Sequence, residues 1–255
     1  MLDDILAATR RRLPELVLRS DDIRRLADVM PPPPSLADAV RAPGLSVIAE
    51  LKRRSPSRGD LAIDLDPVSR ARDYVTGGAA AISVLTEPEF FSGSGADLEK
   101  VAAAVEVPTL RKDFILDPVQ IWEAAGWGAA AVLLIVAALD DATLSRLLEV
   151  VGEAGLDALV EVHTEEEARR AGTAGASVVG VNNRNLADFS VDLATAEHIA
   201  TVLDDDILKV AESGIFTAAD AARMSAAGYD AVLVGEALVR STDPASLVSE
   251  LRSQS

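Results

Sequence analysis

The segment SVIAELK, Ser46 to Lys52, begins as a buried strand and ends in Glu50 and Lys52, separated only by Leu51. Residues two apart on a strand project to one face. A carboxylate and an ammonium therefore leave the end of a buried element side by side. Held where water is scarce, such a pair can move protons or balance developing charge. The same residue types recur at the ends of later apolar runs: Arg111-Lys112-Asp113, Asn182-Asn183-Arg184-Asn185, Glu212-Ser213-Gly214 and Gly235-Glu236. Glu161 interrupts ALVEV, where an unpaired buried carboxylate would cost several kcal/mol.

Taken singly, each has a structural reading beside the chemical one. Glu50 and Lys52 could be a structural ion pair, Lys112 part of a solvated charge cluster, and Asn182 to Asn185 a turn. His163 and His198 read as packing or capping residues, and Trp122 and Trp127 as packing on a helix. The chemical case is the joint one, because all these groups end strands and would converge on one rim.

The elements that must position them are legible as eight short apolar runs: 46–51, 79–85, 107–112, 130–136, 158–162, 178–182, 207–212 and 231–235. They are continuous rather than alternating, as in parallel strands buried on both faces. Helical stretches such as DATLSRLLEVVGEAG and TAADAARMSAAG separate them. Asp117-Pro118 opens one helix, Thr164 with Glu167 reads as a capping box, and Gly152, Gly155, Gly172 and Gly228 fall near helix ends. Strand–helix units repeated in this way predict an α/β fold, a (β/α)₈ barrel, whose chemistry sits at the strand C-termini. The competitor is an open doubly wound sheet, but the loop after its first strand would be glycine-rich, and here it reads KRRSPSRG. Residues 1–45 form an N-terminal helical extension, patterned as helix over 3–29, with the proline run MPPPPS as a hinge; residues 46–255 form the barrel.

Composition narrows the function. The chain has 255 residues, 49% of them apolar, and a formal charge of −17, which argues against nucleic acid or an anionic membrane as partner. There is no cysteine and there are only two histidines, so thiolate chemistry is excluded and a multi-histidine metal site disfavoured. The N-terminal MLDDILAATRRRL lacks the order of a signal peptide, and the apolar run from Gly126 to Leu139 is too short to span a bilayer comfortably. The expectation is a cytoplasmic protein. AESGI and LVGEALVR turn from strand to helix through Gly214 and Gly235, a pattern suited to phosphate, with Ser55, Ser57 and Arg58 as further donors.

The segments IAELKRRSPSRGDL, ISVLTEPEFFSGS, PTLRKDFILDP, VNNRNL, AESGI and VLVGEALVR, in this order between about Pro31 and Leu251, resemble the signature of the indole-3-glycerol phosphate synthase family. The resemblance implies a TIM barrel with an N-terminal extension. It also implies a carboxy-lyase of tryptophan biosynthesis that needs no metal or coenzyme. Its substrate would be 1-(2-carboxyphenylamino)-1-deoxyribulose 5-phosphate. It implies Lys112 as general acid, Glu161 as general base, Lys52 and Glu50 as polarising groups, and Asn182 on the sugar hydroxyl. Arg184 would meet the substrate carboxylate, while Ser55, Glu212, Ser213, Gly214, Gly235 and Glu236 would surround the phosphate. Phe91, Phe114, Leu133, Leu186 and Leu233 would form the apolar slot. Arg111 and Lys52 are expected to lower the Lys112 pKa, and the Glu236 side chain is expected to turn away from the phosphate. The resemblance further implies a monomer, which no residue pattern decides. Alternatives are a neighbouring barrel isomerase, which commonly uses a cysteine absent here, a Schiff-base aldolase, and a non-catalytic phosphosugar-binding protein.

Overall fold

The computed structural model describes residues 1–185 and 189–252. Among them, eight parallel strands close into a barrel: β1 Ser46–Leu51, β2 Ala81–Leu85, β3 Thr109–Lys112, β4 Ala131–Ile135, β5 Asp157–Val162, β6 Val178–Asn182, β7 Leu208–Glu212 and β8 Ala231–Val234. Each apolar run marks one strand, β5 beginning one residue earlier than its run, at Asp157. Closure is made by β8 on β1, with Ser46 opposite Ala231 and Ala49 opposite Val234. The loop after β1 adds a two-residue ribbon, Arg54–Ser55 against Gly59–Asp60.

The strands are apolar on both faces because the barrel has two apolar layers. Ile48, Leu110, Leu133, Leu159, Val210 and Leu233 fill its inside. Val47, Ala49, Val132, Val160 and Ala211, one residue out of phase, belong to the layer between barrel and helices. That alternation positions everything that follows. The covering helices are α4 Pro67–Thr76, α5 Pro88–Phe91, α6 Gly95–Ala102, α7 Pro118–Gly126, α8 Asp141–Glu153, α9 Glu165–Thr173, α10 Ala194–Ala200, α11 Ala218–Ala226, α12 Glu236–Arg240 and α13 Pro244–Arg252. Asp117 makes a full capping box with Gln120. Thr164 makes only half of one: it accepts from the Glu167 N–H, whereas the Glu167 carboxylate reaches past it to the His163 N–H at 2.7 Å.

Ahead of β1 the helical pattern splits at Arg19 into α1, Leu2–Leu18, and α2, Ser20–Asp28. The proline run leads into α3, Leu36–Val40, a helix that periodicity over so few residues did not reveal. Leu36 and Val40 are buried against the interior residues at the strand starts and plug that end of the barrel. Asp157, at the start of β5, anchors the plug by accepting from Ser35 Oγ and Ala37 N–H. Against α7, Arg24 of α2 stacks 3.4 Å from the Trp122 ring centroid. The first turns of α1 lie at the opposite, C-terminal mouth.

Candidate active site

The inward alternation does not stop where the apolar residues do. Ile48 is followed on the same face by Glu50 and Lys52, Leu110 by Lys112, Leu159 by Glu161, Val178 by Gly180 and Asn182, and Val210 by Glu212. All the polar members line one cavity at the mouth, with Ser55, Arg184, Ser213, Gly214, Gly235, Glu236, Phe91, Phe114, Leu133 and Leu233. Leu186 lies outside the described residues.

The centre of the cavity is a buried charge cluster. Lys112 Nζ donates to Glu161 Oε2 at 3.0 Å and also to Glu212 Oε2. Lys52 Nζ donates to Glu50 Oε1 at 2.7 Å. The Asn182 side chain bonds to Glu161, and its Oδ1 accepts from the Arg184 N–H at 3.0 Å. Burial opposes the charge on Lys112, but Glu161 and Glu212 outweigh it and raise its pKa. Burial likewise opposes the Glu161 carboxylate, yet Lys112 and His163 hold it below the usual range. Glu212 goes the other way, because burial and the Glu161 charge exceed the pull of Lys112. The cluster is thus an ammonium between one firmly ionised carboxylate and one inclined to keep a proton.

The expectation that Arg111 and Lys52 lower the Lys112 pKa is overturned: the pKa is raised, and Lys52 is engaged by Glu50. Neighbours on a strand face opposite ways, so Arg111 points outward into the helix layer. There it donates to the Gln120 carbonyl at 2.7 Å, pairs with Asp113 at 3.0 Å and Glu123 at 2.9 Å, and lies over Trp127. Glu212 also stands elsewhere than its sequence neighbours suggest. Its carboxylate joins Lys112, while Ser213 and Gly214 turn away in left-handed conformations with φ of 63° and 83°.

One wall of the cavity is apolar. Phe91 and Phe114 stand 6.1 Å apart at 35°, and Leu133 and Leu233 line the same cavity. Both rings are held by buried carboxylates: Glu87 accepts from the Glu89, Phe90 and Phe91 N–H groups, and Asp113 accepts from Phe114 N–H at 2.8 Å. Ser213, Gly214 and Gly235 line the same cavity. The start of α11 is already occupied by its Thr217–Asp220 capping box, whereas α12 begins directly at Gly235 with no side-chain cap. Glu236 pairs with Arg58 at 3.4 Å and Arg240 at 3.3 Å. Arg184 donates to the Phe189 carbonyl at 3.1 Å; burial and then the charge of Arg58 lower its pKa, so cationic groups crowd this rim and invite an anion.

The family model for indole-3-glycerol phosphate synthase matches residues 2–251. The chain belongs to the indole-3-glycerol phosphate synthase family. Proteins of that name from a Nocardioides species and from Mycolicibacterium smegmatis are 53% and 51% identical to it. The first alignment covers 98% of this chain and 97% of the relative, the second 98% and 93%. Among solved structures, 3-hexulose-6-phosphate synthase from Salmonella typhimurium superposes with a TM-score of 0.67 at 16% identity, over 82% of this chain and 97% of the other. Thiamine phosphate pyrophosphorylase from Pyrococcus furiosus gives 0.63 at 19%, over 86% and 96%. Those two likenesses show the fold alone.

The indole-3-glycerol phosphate synthase match starts at residue 2, whereas the resemblance in the sequence motifs starts near Pro31, so the N-terminal helices belong to the family pattern as well. In this member Met1, and Leu2 and Ile5 of α1, line the mouth beside Phe189, Ile215 and Phe216, none of which was assigned to the site from the sequence. Gly180 was missed too. A Cβ there would run into the Glu212 carboxylate. Gly235 has the same explanation: its Cβ would stand 2.5 Å from Glu50 Oε1 and 3.2 Å from Lys52 Nζ, so it makes room for that pair.

Proposed function

We propose that this cavity closes an indole ring, converting 1-(2-carboxyphenylamino)-1-deoxyribulose 5-phosphate to indole-3-glycerol phosphate, CO₂ and water. Membership of the family makes the chain a carboxy-lyase of tryptophan biosynthesis. The observation that carries the residue assignments is the 3.0 Å Lys112–Glu161 contact in the same cavity as the Phe91–Phe114 wall and the Ser213-Gly214 turn.

The aromatic ring lies in the slot of Phe91, Phe114, Leu133 and Leu233, and Leu186 is assigned there on sequence grounds. The phosphate lies against Ser55, Ser213, Gly214 and Gly235, with Glu236 directed to its arginines. Arg184 takes the substrate carboxylate, and Asn182 the sugar hydroxyl. The ring carbon that bears the carboxylate attacks the ketone carbon, and Lys112 gives its proton to the ketone oxygen. That oxygen becomes alkoxide-like as it receives its electron pair, basic enough to take a proton even from a lysine held firmly charged. A lysine so held is a poor nucleophile, which disfavours imine chemistry. The iminium draws the electron pair released with CO₂. Glu161 then removes one proton from the methylene carbon beside the nitrogen, now part of the five-membered ring, while the hydroxyl on the adjacent former ketone carbon leaves as water, protonated by Lys52 as Glu50 holds it in place.

Residues 1–45 are taken as an extension and 46–255 as the barrel. The setting is read as the cytoplasm, with a small phosphorylated molecule as partner and neither nucleic acid nor membrane. No helix among the described residues is long and apolar enough to cross a membrane. A monomer suffices, since one chain supplies every group named. The test is turnover of the named substrate by purified protein, followed as rising indole fluorescence with nothing added. Absence of product, or borohydride trapping of substrate on Lys112, would refute the reading.

A further inference from the structure

On the outer side of Glu161 lies an acid–base pair to which the ring closure assigns no part. His163 continues the inward alternation of β5, two residues beyond Glu161. Its Nε2 stands 3.4 Å from Glu161 Oε1, and its Nδ1 stands 3.3 Å from Glu167 Oε2 on the first turn of α9. The same Glu167 oxygen accepts the His163 backbone N–H at 2.7 Å, which explains why Glu167 abandons the Thr164 capping box. His163 is therefore gripped through main chain and ring together. Its side chain is 10% exposed, and Nε2 is buried without a hydrogen-bond partner among the described residues.

With Nδ1–H turned to Glu167, a neutral ring would present the Nε2 lone pair to the Glu161 carboxylate. Two acceptors would then face each other in a dry site. A proton on Nε2 removes the conflict and leaves a cation between two carboxylates. The charged groups around the ring favour it: Glu161 on β5, Glu167 on α9 and Glu212 on β7 are acidic. The cations nearby are already engaged. Lys112 on β3 sits on Glu161 and Glu212, and Arg170 on α9 bonds to Asp141 and to the Val136 and Leu139 carbonyls. Burial opposes the imidazolium, but the carboxylates prevail and raise the pKa of His163.

We propose that His163, oriented by Glu167, is a positioning residue that holds Glu161 by its Oε1 and keeps it ionised. The inference rests on Glu161 being the base. Its purpose follows from the order of proton transfers. Once Lys112 has given its proton to the ketone oxygen, Glu161 loses the ammonium beside Oε2. Protonation of Glu161 from elsewhere would then spoil it as a base for the later step. The imidazolium remains on Oε1 and supplies the positive charge through that interval.

The chain has only two histidines, so the imidazole resonances of the full-length protein resolve the question directly. In an NMR titration, His163 should remain imidazolium well above the ordinary histidine range of about 6.5. Its midpoint should fall by about one unit or more in Glu167→Gln and in Glu161→Gln. In parallel, His163→Asn should lower kcat roughly tenfold with KM nearly constant, and shift the acid limb of the kcat–pH profile upward by about one unit. A neutral His163 at pH 6, or an unmoved acid limb in His163→Asn while Glu161→Gln is inactive, overturns the positioning role and leaves the base assignment standing. Full kcat in Glu161→Gln overturns both. Should His163→Asn fail to fold, the titration of the parent and of Glu167→Gln decides alone.

Discussion

Lys112 and Glu161 lie 49 residues apart in the chain and meet at 3.0 Å inside the barrel mouth. Each is the last inward-facing polar group of its strand, and each is buried at the point where the apolar filling ends. Lys112→Met keeps the stem and removes the charge; Glu161→Gln keeps the shape and removes the basic oxygen. Both should lower kcat by about 10²-fold or more while KM changes far less, because proton transfer is felt in the transition state and not in binding. Steady-state kinetics checks this. Wild-type kcat in either variant removes that residue from the mechanism.

Glu212, the second carboxylate on that lysine, makes the stability of the fold pH-sensitive. Its folded-state pKa is raised, chiefly by burial, so the stability it contributes is complete below the ordinary carboxylate range and is lost as pH rises toward neutrality. Glu161, with its pKa depressed, contributes stability above that range and loses it only at lower pH. Between pH 5 and pH 8 the slope comes from Glu212 and, above the ordinary histidine range, from His163, whose raised pKa acts in the same direction; replacing Glu212 isolates the first of these. Urea unfolding of Glu212→Gln against the parent should show a stability difference that moves in favour of the variant as pH rises through this interval. A difference independent of pH would mean that Glu212 is ionised throughout.

Much of this was readable because a strand's alternation survives the change from apolar to polar residues. Ile48, Glu50 and Lys52 form one series, and so do Leu159, Glu161 and His163. What the sequence hid was distance. Gly180 looks like any strand glycine until Glu212, from the next strand, is seen in the space where its Cβ would be. Arg111 was misassigned because adjacency in the chain was read as adjacency in space, although it puts the two side chains on opposite faces of β3. His163 was set aside because nothing in the chain shows that Glu167 turns back to hold it. The plug α3 is too short to announce itself by periodicity.

Gly180 yields a sharp comparison. Gly180→Ala forces the Glu212 carboxylate or Leu159 to move. A displacement of about 1 Å at the Lys112 cluster should cut kcat roughly 10²-fold, and overpacking should destabilise the barrel by about 1–3 kcal/mol. Gly152, inside α8, has open space at the same position, so Gly152→Ala should leave kcat alone and stabilise by up to about 1 kcal/mol. Equal behaviour of the two variants in kinetics and denaturant unfolding would show that the room at Gly180 is incidental.

Arg111 separates structure from catalysis. Its guanidinium is 2% exposed and balances Asp113 and Glu123, which would be left buried without it. Asp113 in turn ties Thr86 at the end of β2 to Phe114 in the slot. Arg111→Met should therefore destabilise the fold by about 3–5 kcal/mol. Because the side chain lies behind the strand and Lys112 answers to Glu161 and Glu212, the folded variant should keep the parent's kcat–pH limbs in place. Chemical denaturation measures the first effect, and a pH–rate profile taken well below the melting temperature measures the second. If the limbs shift by a unit in a variant that is otherwise stable, the charge of Arg111 reaches the cavity after all, and the division of β3 into a catalytic face and a structural face is wrong.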